Sequence, residues 1–376
     1  MRIVVTGADG FLGWHTRCRL HATTDHEVVP VGRAEWADLT ALVAGADAVL
    51  HLAGINRAPD DELVAGNRGL AEDVAAAIAA APRPLRLAFA NSTQVGNGTA
   101  YADGKEQAAA VLRAAAERTG SSFVDVLLPN LFGEHGRPGY NSFVASFVDA
   151  TVAGASPSIS DRTIGLLHVQ RAAAAMIAAI EETAPGTVGQ VSPEPVATSV
   201  QQVWDTLQRF HTTYATTGDV PDLSGPLDTD LFNTYRAALF PAGYPIALAP
   251  RADQRGRLVE TVRSHGAGGQ TFVSTTVPGV TRGEHYHLHK IERFVVLSGR
   301  ATIALRRLFT REVVELEVTG DEPVLVDMPT MWVHNITNTG DTELLTVFWT
   351  DTLFDADNPD THPVPVAGAA ELEQTR

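Results

Sequence analysis

Short apolar runs alternate with alanine-rich helical segments over roughly the first 190 residues. Apolar runs of about four to eight residues, bounded by turn residues, are typical of buried parallel strands. The predicted strands are RIVVTG, HEVVPVG, DAVLHLAG, LRLAFANS and SFVDVLLPN, and the predicted helices are FLGWHTRCRLHATT, NRGLAEDVAAAIAAA and YADGKEQAAAVLRAAAERTG, the last capped by Gly120. Strands that alternate with helices predict a doubly wound α/β sheet of the Rossmann type.

The periodicity changes from about Leu248 onward, where short strand-like runs follow one another with glycine turns between them. These runs are GRLVETV, QTFVSTTV, RFVVLSG, ATIALRRL, EVVELEV, PVLVDM and LLTVFWT, and they predict an all-β barrel or jelly roll. The stretch 215–247 is rich in Gly, Pro and Asp and contains one predicted helix, LDTDLFNTYRAALF. We therefore predict an α/β domain over residues 1–245 and an all-β domain over residues 246–376.

Composition narrows the class of protein. Hydrophobic residues make up 44% of the 376 residues and charged residues 19%, a globular balance. The formal net charge of −16 argues against nucleic acid or an anionic membrane as the main partner. The one cysteine, Cys18, excludes an intrachain disulfide, and a first strand at Arg2 leaves no room for a signal peptide. The apolar stretches are too short to span a bilayer, so we expect a cytoplasmic protein without membrane insertion.

The segment TGADGFLG carries three glycines directly after the first predicted strand and at the start of the first helix. This is the context in which such a loop binds a dinucleotide. Gly7 makes the tight turn, Gly10 lets the backbone approach the pyrophosphate, and Gly13 lets the helix pack on the sheet. The predicted cofactor contacts also include Phe11, Leu12, Leu52 and Ala53.

The end of the second predicted strand bears on the choice of cofactor. An NAD enzyme usually has Asp or Glu there, where the carboxylate meets the ribose hydroxyls. Here the strand HEVVPVGR ends in Gly32 and Arg33. An arginine suits the additional 2′-phosphate, so the sequence favours NADP(H). The alternative interpretation is a solvated surface arginine.

The segment YADGK places Tyr101 and Lys105 four residues apart at a predicted helix start, so that both side chains project from one face. A neighbouring ammonium group stabilises a phenolate and lowers the pKa of tyrosine from its ordinary value of about 10. The tyrosine then becomes a usable acid or base near neutral pH. Ser92, just upstream in NSTQV, can hydrogen-bond a substrate oxygen. The alternative is an ordinary helix surface, on which such pairs are common.

Residues 1 to about 245 resemble the extended short-chain dehydrogenase/reductase family. The resemblance covers TGADGFLG and YADGK, and also GNRGLAED, LLPNLFGEHG and LLHVQRAAAAM. It implies that Ser92, Tyr101 and Lys105 act on a carbonyl or hydroxyl of a nucleotide sugar, with hydride moving to or from a nicotinamide. It also implies a cofactor site that includes Asn67, Tyr101 and Lys105, and a substrate contact at Asn130.

The segment GVTRGEHYHLHKIERFVVLSG, residues 279–299, resembles the first motif of the cupins. In that motif a glycine is followed after five residues by His-x-His, then by Glu after four more and by glycine after another six. The segment PTMWVHNITN resembles the second cupin motif, with Met331 at the position of its usual glycine. The resemblance implies a metal centre with the ligands His285, His287, Glu292 and His334.

This ligand set indicates which metal to expect. Three imidazoles and one carboxylate suit Zn²⁺ or another first-row divalent ion and leave a position open for substrate. Alternation along a strand predicts that His285 and His287 lie on the same face. His289 is predicted on that face too, but it matches no ligand position. A cupin that binds no metal is the alternative.

The segment RADQRGRLVETV, at the start of the all-β region, resembles the Asp-x-Arg-Gly segment of sugar-nucleotide epimerases of the cupin type. Arg255 is the residue of interest, because a guanidinium group can bind a diphosphate with two parallel hydrogen bonds. We therefore predict Arg255 as a substrate-binding residue. A buried structural arginine is an equally open interpretation.

A dehydrogenase followed by a cupin resembles, over the full length, the bifunctional capsular-polysaccharide enzymes of the CapF type. The matching segments include HLAGINR, ERFVVLSG, HNITNTGDT and FDADNPDT. The resemblance implies a zinc-binding cupin that epimerises C3 of a UDP-4-keto-6-deoxy-N-acetylhexosamine, and a reductase domain that reduces C4 with NADPH. The product would be a UDP-N-acetyl-6-deoxy-L-talosamine, and the enzyme would be a homodimer.

The sequence departs from that family at the metal segment, where the family has His-Trp-His-x-Thr-Lys-x-Glu. Here the segment is HYHLHKIE, so Tyr286 replaces Trp and His289 replaces Thr. Lys290, His289 and Tyr286 are the candidate proton carriers of the epimerase. One alternative is a reductase only, whose cupin serves dimerisation or regulatory sugar binding. The other is a sugar-nucleotide-binding scaffold with an inactive reductase, against which the intact Tyr101 and Lys105 count.

Overall fold

The computed structural model describes residues 1–254, 256–266 and 268–368. In chain order, the first part contains β1 (Arg2–Thr6), α1 (Phe11–Thr23), β2 (Glu27–Val31), a short 3-10 helix (Trp36–Asp38), α2 (Leu39–Ala44), β3 (Ala48–His51), α3 (Asp60–Ala79), β4 (Arg86–Ser92), α4 (Ala100–Thr119), β5 (Ser122–Leu128), β6 (Asn130–Phe132), α5 (Phe143–Val152), β7 (Thr163–His168), α6 (Val169–Glu181), β8 (Val188–Val191) and β9 (Val196–Ser199).

The later part contains α7 (Val200–Tyr214), α8 (Asp228–Leu239), β10 (Ile246–Ala247), β11 (Arg251–Asp253), β12 (Gly256–Leu258), β13 (Gln270–Thr276), β14 (Thr281–Tyr286), β15 (Glu292–Ser298), β16 (Arg300–Arg307), β17 (Val313–Thr319), β18 (Val324–Met328), β19 (Trp332–Asn338), β20 (Leu344–Thr350) and β21 (His362–Pro363). None of the helices described is both long and apolar enough to cross a membrane.

A six-stranded sheet forms the centre of the first unit, which comprises residues 1–132 and 164–197. Its strand order is β2-β1-β3-β4-β5-β8, and every neighbouring pair is parallel. The five predicted strands all form, and helix α4 ends at Gly120 in the left-handed conformation. The predicted Rossmann-like α/β architecture is therefore confirmed.

The strand order indicates where a ligand crevice would lie in this unit. β1 has β2 on one side and β3 on the other, so the chain reverses its direction of winding at β1. In open α/β sheets, ligands bind outside the carboxyl ends of the strands at such a point. The segments that follow β1 and β3, at residues 7–10 and 52–55, meet there.

The two faces of this sheet are both covered. Alternation along β1 sends Ile3 and Val5 toward α1 and α6, and Val4 toward α2, α3 and α4. Met176 of α6 and Leu112 of α4 are fully buried in these two layers. Strands buried on both faces account for the apolar runs in the sequence.

Two five-stranded sheets dominate the second unit, which comprises residues 133–163 and 198–368. Their strand orders are β10-β18-β15-β20-β13 and β17-β16-β19-β14-β21, and the recorded pairs are antiparallel. The predicted all-β character of the region after residue 245 is confirmed, although the unit also contains the helices α5, α7 and α8. The predicted strand GRLVETV is shorter than expected, since only Gly256–Leu258 pairs, with β11. Strand β19 was not predicted, and β14 was expected only as the strand of His285 and His287, because glycine, histidine and polar residues interrupt their patterns.

Strand β15 begins between two buried polar networks. Glu292 and Arg293 are adjacent, so their side chains point to opposite faces of the sheet. Arg293 bonds Asp327 with Nε at 2.7 Å and Nη2 at 2.9 Å, and Nη2 also donates to the Gly218 carbonyl at 2.7 Å. The Tyr214 hydroxyl donates to Asp327 Oδ2 at 2.6 Å. Burial alone would raise the pKa of Asp327, but the Arg293 charge and hydrogen bonds outweigh it and lower the pKa.

Helices α7 and α8 precede residue 245 but pack within the second unit. Tyr214 of α7 contacts Asp327, and Arg236 of α8 donates to the Met328 carbonyl at 3.3 Å. Both helix side chains are fully buried. A chain that ends at residue 245 would leave Tyr214 and Arg236 without these partners. The predicted division between residues 245 and 246 therefore stays a prediction, and it is better tested in the full chain.

We expect Asp327→Asn to lower the free energy of unfolding by about 3–5 kcal/mol, because it leaves the buried Arg293 guanidinium without its counter-charge. Urea titration followed by tryptophan fluorescence measures this loss. Glu72→Gln is the matched control: its partner Arg68 lies at 2.8 Å, but both side chains are more than half exposed. Such a surface pair is worth about 1 kcal/mol or less. Equal effects of the two changes would contradict a stabilising role for the buried pair.

Candidate functional site

Two close backbone approaches shape the glycine loop. Gly7 has a φ of 67°, and a Cβ there would be 2.7 Å from the Ala53 nitrogen. A Cβ on Gly13 would overlap the Gly7 carbonyl oxygen. The Gly10 N–H donates to that same oxygen at 2.9 Å. The turn at Gly7 therefore lies between α1, which begins with Phe11 and Leu12, and the segment that contains Leu52 and Ala53. The role of these residues as cofactor contacts stays a prediction.

Asn67 of α3 supports the segment that follows β3. Its Oδ1 accepts from the Ile55 N–H at 3.0 Å, and its Nδ2 donates to the carbonyls of Ile55 at 2.8 Å and Leu63 at 2.9 Å. The amide therefore fixes the shape of the loop along the predicted cofactor crevice. Gly54 lies in the same place, where a Cβ would be 3.2 Å from both Asn67 Oδ1 and Lys105 Nζ.

Ser92, Tyr101 and Lys105 lie in the same unit as this loop, at the end of β4 and in the first turns of α4. Burial raises the pKa of Tyr101, and a hydrogen bond with the Ser92 side chain opposes that shift. The phenol and the serine hydroxyl are thus within hydrogen-bonding reach of each other. The structure brings Tyr101 and Ser92 together. The expected lowering of the Tyr101 pKa by Lys105 was wrong, because burial of the phenol raises that pKa.

Lys105 is almost completely buried. Its Nζ donates to the Ala90 carbonyl at 2.8 Å and lies 4.7 Å from the centre of the Phe89 ring. Burial lowers the pKa of Lys105 to about 8, although the Asp125 charge opposes the shift. The side chain can therefore change charge near physiological pH.

A row of paired residues, polar except for Phe89 and buried except for Gln190, crosses the sheet beside Lys105, and no motif in the sequence marks it. Thr6, His51, Phe89, Asp125 and Gln190 occupy paired positions on neighbouring strands. Thr6 Oγ1 lies 2.8 Å from His51 Nδ1, and the imidazole stacks on Phe89 at 5.4 Å. Burial, followed by the charge of Lys105, lowers the pKa of His51 to about 3. His51 is therefore neutral at physiological pH and adds no second cation beside the lysine.

Arg33 is exposed and lies just beyond the end of β2. Carboxylates flank the preceding residue: the Gly32 N–H donates to Glu35 Oε2 at 2.9 Å, and a Cβ at Gly32 would be 2.5 Å from Asp9 Oδ2. The predicted 2′-phosphate contact thus has Arg33 and two nearby anions, and one of these, Asp9, lies 3.5 Å from the Arg17 guanidinium.

The structure describes only one of the two predicted substrate residues. Asn130 is exposed, and its Nδ2 donates to the Gly165 carbonyl at 3.3 Å. Arg255 lies outside the described residues.

Four side chains in the second unit converge as the cupin motifs predicted. His285, His287, Glu292 and His334 place their ligand atoms within 4.8 Å of one another. Glu292 Oε2 is 3.6 Å from His285 Nε2, 2.9 Å from His287 Nε2 and 3.1 Å from His334 Nε2. Carboxylate and imidazole Nε2 atoms thus face a common point.

The protonation of the imidazoles shows that this donor set fits a cation. His287 Nδ1 lies 2.5 Å from the Asp360 carbonyl, and His334 Nδ1 lies 3.0 Å from the Trp332 carbonyl. A carbonyl only accepts, so each Nδ1 carries a proton. Burial lowers the pKa of His334 to about 4, so its Nε2 presents a lone pair to Glu292. His285 Nε2 is buried with no hydrogen-bond partner among the described residues. Acceptors so placed would suit a positive ion between them.

Strand alternation explains the histidine cluster only in part. Strand β14 ends at Tyr286, so His287 and His289 lie beyond it, and their prediction on a continuous strand was wrong. The register shifts between Gly283 and His285, and Glu284 between them has a φ of 61°. This bulge redirects His285 toward His334, its partner on β19.

The predicted proton carriers have other contacts. Tyr286 is fully buried, with its ring 5.1 Å from that of His362. Lys290 Nζ donates at 2.9 Å to both the Pro359 carbonyl and Thr361 Oγ1. The His289 carbonyl accepts from Asn233 Nδ2 at 2.8 Å.

Comparison with known proteins gives the family. The sequence profile described as the NAD dependent epimerase/dehydratase family matches residues 3–191, half of the chain. A UDP-2-acetamido-2,6-beta-L-arabino-hexul-4-ose reductase from Pseudomonas aeruginosa is 30% identical over 375 residues, which cover 98% of this chain and 100% of the relative. The chain belongs to the NAD dependent epimerase/dehydratase family. Membership implies a nicotinamide cofactor and confirms that part of the prediction.

The second unit carries a further match. The profile of the polysaccharide biosynthesis C-terminal domain covers residues 251–362. The capsular polysaccharide assembling protein CapF from Staphylococcus aureus is 30% identical, with a TM-score of 0.59, over 97% of this chain and 100% of that chain. The predicted similarity to CapF-type proteins is therefore confirmed for the whole chain. A UDP-glucuronic acid 4-epimerase from Bacillus cereus, 15% identical with a TM-score of 0.51 over 57% of this chain and 85% of its own, shares the fold.

Two helical glycines give opposite expectations within the epimerase/dehydratase unit. Gly13→Ala should destabilise the protein by about 1–3 kcal/mol and abolish nicotinamide binding, because the new Cβ overlaps the Gly7 carbonyl. Gly69→Ala is the matched control in α3, where nothing lies within 4 Å of a Cβ. It should stabilise the protein by about 0.5–1 kcal/mol. Denaturant unfolding and fluorescence titration with NADH and NADPH measure both. Wild-type-like binding by Gly13→Ala would contradict this view of the loop.

Proposed function

We propose that the protein is a bifunctional nucleotide-sugar enzyme. It reduces the C4 ketone of a UDP-4-keto-6-deoxy-N-acetylhexosamine with NADPH and inverts C3 of the same sugar. The observation that carries the reductase assignment is the grouping of Ser92, Tyr101 and Lys105 in the unit with the dinucleotide loop. The substrate class is supported by the name of the P. aeruginosa relative, a reductase of a UDP-hexul-4-ose.

In the reductase, NADPH supplies hydride to C4 when bound. Tyr101 donates its phenolic proton to the C4 oxygen, and the Ser92 hydroxyl hydrogen-bonds that oxygen and orients it. The Lys105 ammonium stabilises the phenolate that remains, which lowers the cost of proton transfer. The raised pKa of free Tyr101 keeps the donor protonated before reaction.

NADPH is proposed over NADH on the strength of Arg33. It is the exposed cation directly after β2, where a 2′-phosphate would lie. Asp9 and Glu35 nearby would instead favour free ribose hydroxyls, since a carboxylate repels phosphate. Arg17 lies 3.5 Å from Asp9 and partly offsets its charge, so Arg33 must mainly outweigh Glu35. Assays with both cofactors are therefore part of the test.

The second unit is proposed to be a cupin that carries the epimerase. A C3 proton beside a C4 ketone is acidic because the resulting enolate is delocalised. His285, His287, Glu292 and His334 would hold one Zn²⁺, which when bound supplies Lewis-acid stabilisation of that charge. His289, Lys290 or Tyr286 would carry the proton at C3. Epimerisation and reduction on one chain keep a reactive keto sugar close to both activities.

Two further assignments complete the proposal. Asn130, at the start of β6, and Arg255 would bind the substrate, with Arg255 on the diphosphate. A homodimer, as in the CapF-type family, is the expected assembly.

A reductase without epimerase activity is the second candidate, and Lys290 favours it. Its ammonium is bonded to Pro359 and Thr361, so it would have to leave these partners to reach a substrate. Tyr286 is fully buried as well. In this case the second unit would serve dimerisation or regulatory sugar binding.

The decisive experiment supplies NADPH or NADH with a panel of UDP- and dTDP-4-keto-6-deoxysugars and determines product stereochemistry by NMR. We expect NADPH oxidation with UDP-4-keto-6-deoxy-N-acetylhexosamines and a product inverted at C3. Reduction with retained C3 configuration would support the reductase activity and reject the epimerase activity. No oxidation of either cofactor with any sugar would reject the enzyme assignment.

We expect Tyr101→Phe to lower kcat/KM by at least about 10²-fold, because the general acid is lost. In the wild type, kcat/KM should fall as pH rises through about 8, because Lys105 carries its charge below that pH and loses it above. Lys105→Met should be slow at every pH and lack this step. Stopped-flow NADPH oxidation measures all three, and retained NADPH binding shows that the variants fold. A wild-type profile that stays flat to pH 9.5 would reject the lysine's role.

The epimerase proposal predicts that the wild type exchanges the C3 proton of the keto sugar with D₂O in the absence of NADPH. It also predicts about one zinc ion per chain. His287→Ala should lose both the ion and the exchange while it retains NADPH binding. His265→Ala is the control, since this exposed imidazole pairs with Asp219 instead. Mass-spectrometric metal analysis and deuterium incorporation measure the effects, and full exchange by a metal-free wild type would refute a metal-assisted epimerase.

A further inference from the structure

The tail segment, residues 359–366, is held to the rest of the second unit by strand pairing and by side-chain hydrogen bonds. Its strand β21 pairs with β14, where Tyr286 faces His362 and His285 faces Pro363. Val364 and Val366 are buried. The segment therefore lies directly beside the strand that leads into the histidine cluster.

Asp360 is the part of the tail segment that meets the ligand loop. Its Oδ1 accepts from the Leu288 N–H at 2.9 Å, and its Oδ2 accepts from the His289 N–H at 2.9 Å and the Lys290 N–H at 2.8 Å. One carboxylate thus satisfies three successive backbone donors directly after His287. Asp360 itself has a φ of 42°, in the left-handed region that few residues other than Gly, Asn and Asp enter readily.

The backbone of the same residue fixes the imidazole. The Asp360 carbonyl accepts from His287 Nδ1 at 2.5 Å, and His287 Nε2 then lies 2.9 Å from Glu292 Oε2. The hydrogen bond at Nδ1 selects the tautomer whose Nε2 lone pair faces the ligand cluster. Asp360 therefore controls both the loop and the ring.

We infer that Asp360 is a positioning residue of the metal centre, and that docking of the tail segment and binding of a Zn²⁺-type ion are linked. The inference rests on the proposed metal centre. The physical reason is that an ion bound to His287 Nε2 needs a fixed imidazole ring, and the Asp360 carbonyl fixes that ring through Nδ1. Ring and loop are ordered before the ion arrives, so less entropy is lost on binding.

Anchors on both sides of Asp360 keep it in place. Lys290 Nζ binds the Pro359 carbonyl and the Thr361 hydroxyl. Further along, Arg306 donates to the carbonyls of Pro365 at 3.0 Å and Val366 at 2.7 Å. These contacts give Lys290 a structural role in holding the tail segment, whether or not it also carries a proton in epimerisation.

Linkage makes the coupling reciprocal. If the docked tail segment increases the affinity for the ion, then the bound ion must stabilise the docked tail segment by the same factor. The inference can therefore be tested from the metal side, with variants, and from the tail side, with the unaltered protein.

The first experiment measures zinc release from the full-length protein to a chromophoric chelator. Asp360→Gly retains the left-handed backbone and the carbonyl but removes the carboxylate. Asp360→Asn retains the size, but its amide has only one acceptor oxygen, so its NH₂ would face at least one of the three N–H donors. Asp357→Asn is the matched control, with the same charge change at an exposed position three residues earlier. Circular dichroism and thermal unfolding establish that each variant is folded.

We expect both Asp360 variants to bind zinc about 10- to 100-fold more weakly, as for other residues that orient a metal ligand, and Asp357→Asn to match the wild type. Cobalt substitution gives a spectroscopic check, because its visible bands depend on ligand geometry. Folded Asp360 variants with wild-type zinc affinity would overturn the inference while the metal centre stands. A wild type that binds no zinc would overturn the metal centre itself, and the two failures are thus distinguishable.

The second experiment follows hydrogen–deuterium exchange in the wild type with and without zinc. Removal of the ion should accelerate exchange of the Leu288, His289 and Lys290 amides and, in parallel, that of Val364 and Val366, whose N–H groups bond Glu284. Exchange in β16 should not change. Faster exchange in the ligand loop with an unaltered tail segment would refute the linkage.

Discussion

Charge buried on both faces of one strand is the constraint on which the second unit depends. Glu292 and Arg293 are consecutive, nearly inaccessible to water and directed to opposite sides of β15. Arg293 is neutralised by Asp327, and Glu292 faces the three imidazoles. An uncompensated charge in either place would cost several kcal/mol. The helices that surround Arg293 and the strands that carry the histidines are therefore coupled through the start of a single strand.

In the first unit, the predicted site depends on glycines that let backbone segments approach one another closely, rather than on paired charges. Gly7 meets Ala53, Gly13 meets Gly7, and Gly54 lets Lys105 lie beside the amide of Asn67. These contacts gather the dinucleotide loop and the Tyr–Lys pair around one end of a parallel sheet. The lysine is deeply buried and next to a neutral histidine, so its charge state is more sensitive to pH than that of a surface lysine.

Local spacing in the sequence was enough to predict much of this arrangement. A single short motif was enough to predict the glycine loop, and another was enough for Tyr101 and Lys105. Two motifs together predicted the four converging ligands. The roles of Asp360, His51 and Asp125 were not predicted, because the partners described above are 20 to 73 residues away and no pattern marks the pairing. The bulge at Glu284 also escaped prediction, since a break in register depends on the partner strand.

The adjacency of Glu292 and Arg293 limits how this protein can diverge. Substitution of a ligand leaves every other side chain on its own face of β15. Insertion or deletion of one residue at the start of the strand would instead turn the guanidinium toward the imidazoles and the carboxylate toward α7 and α8. Both networks would fail together. The length of the connection from His287 to β15 therefore constrains the fold more than its composition does.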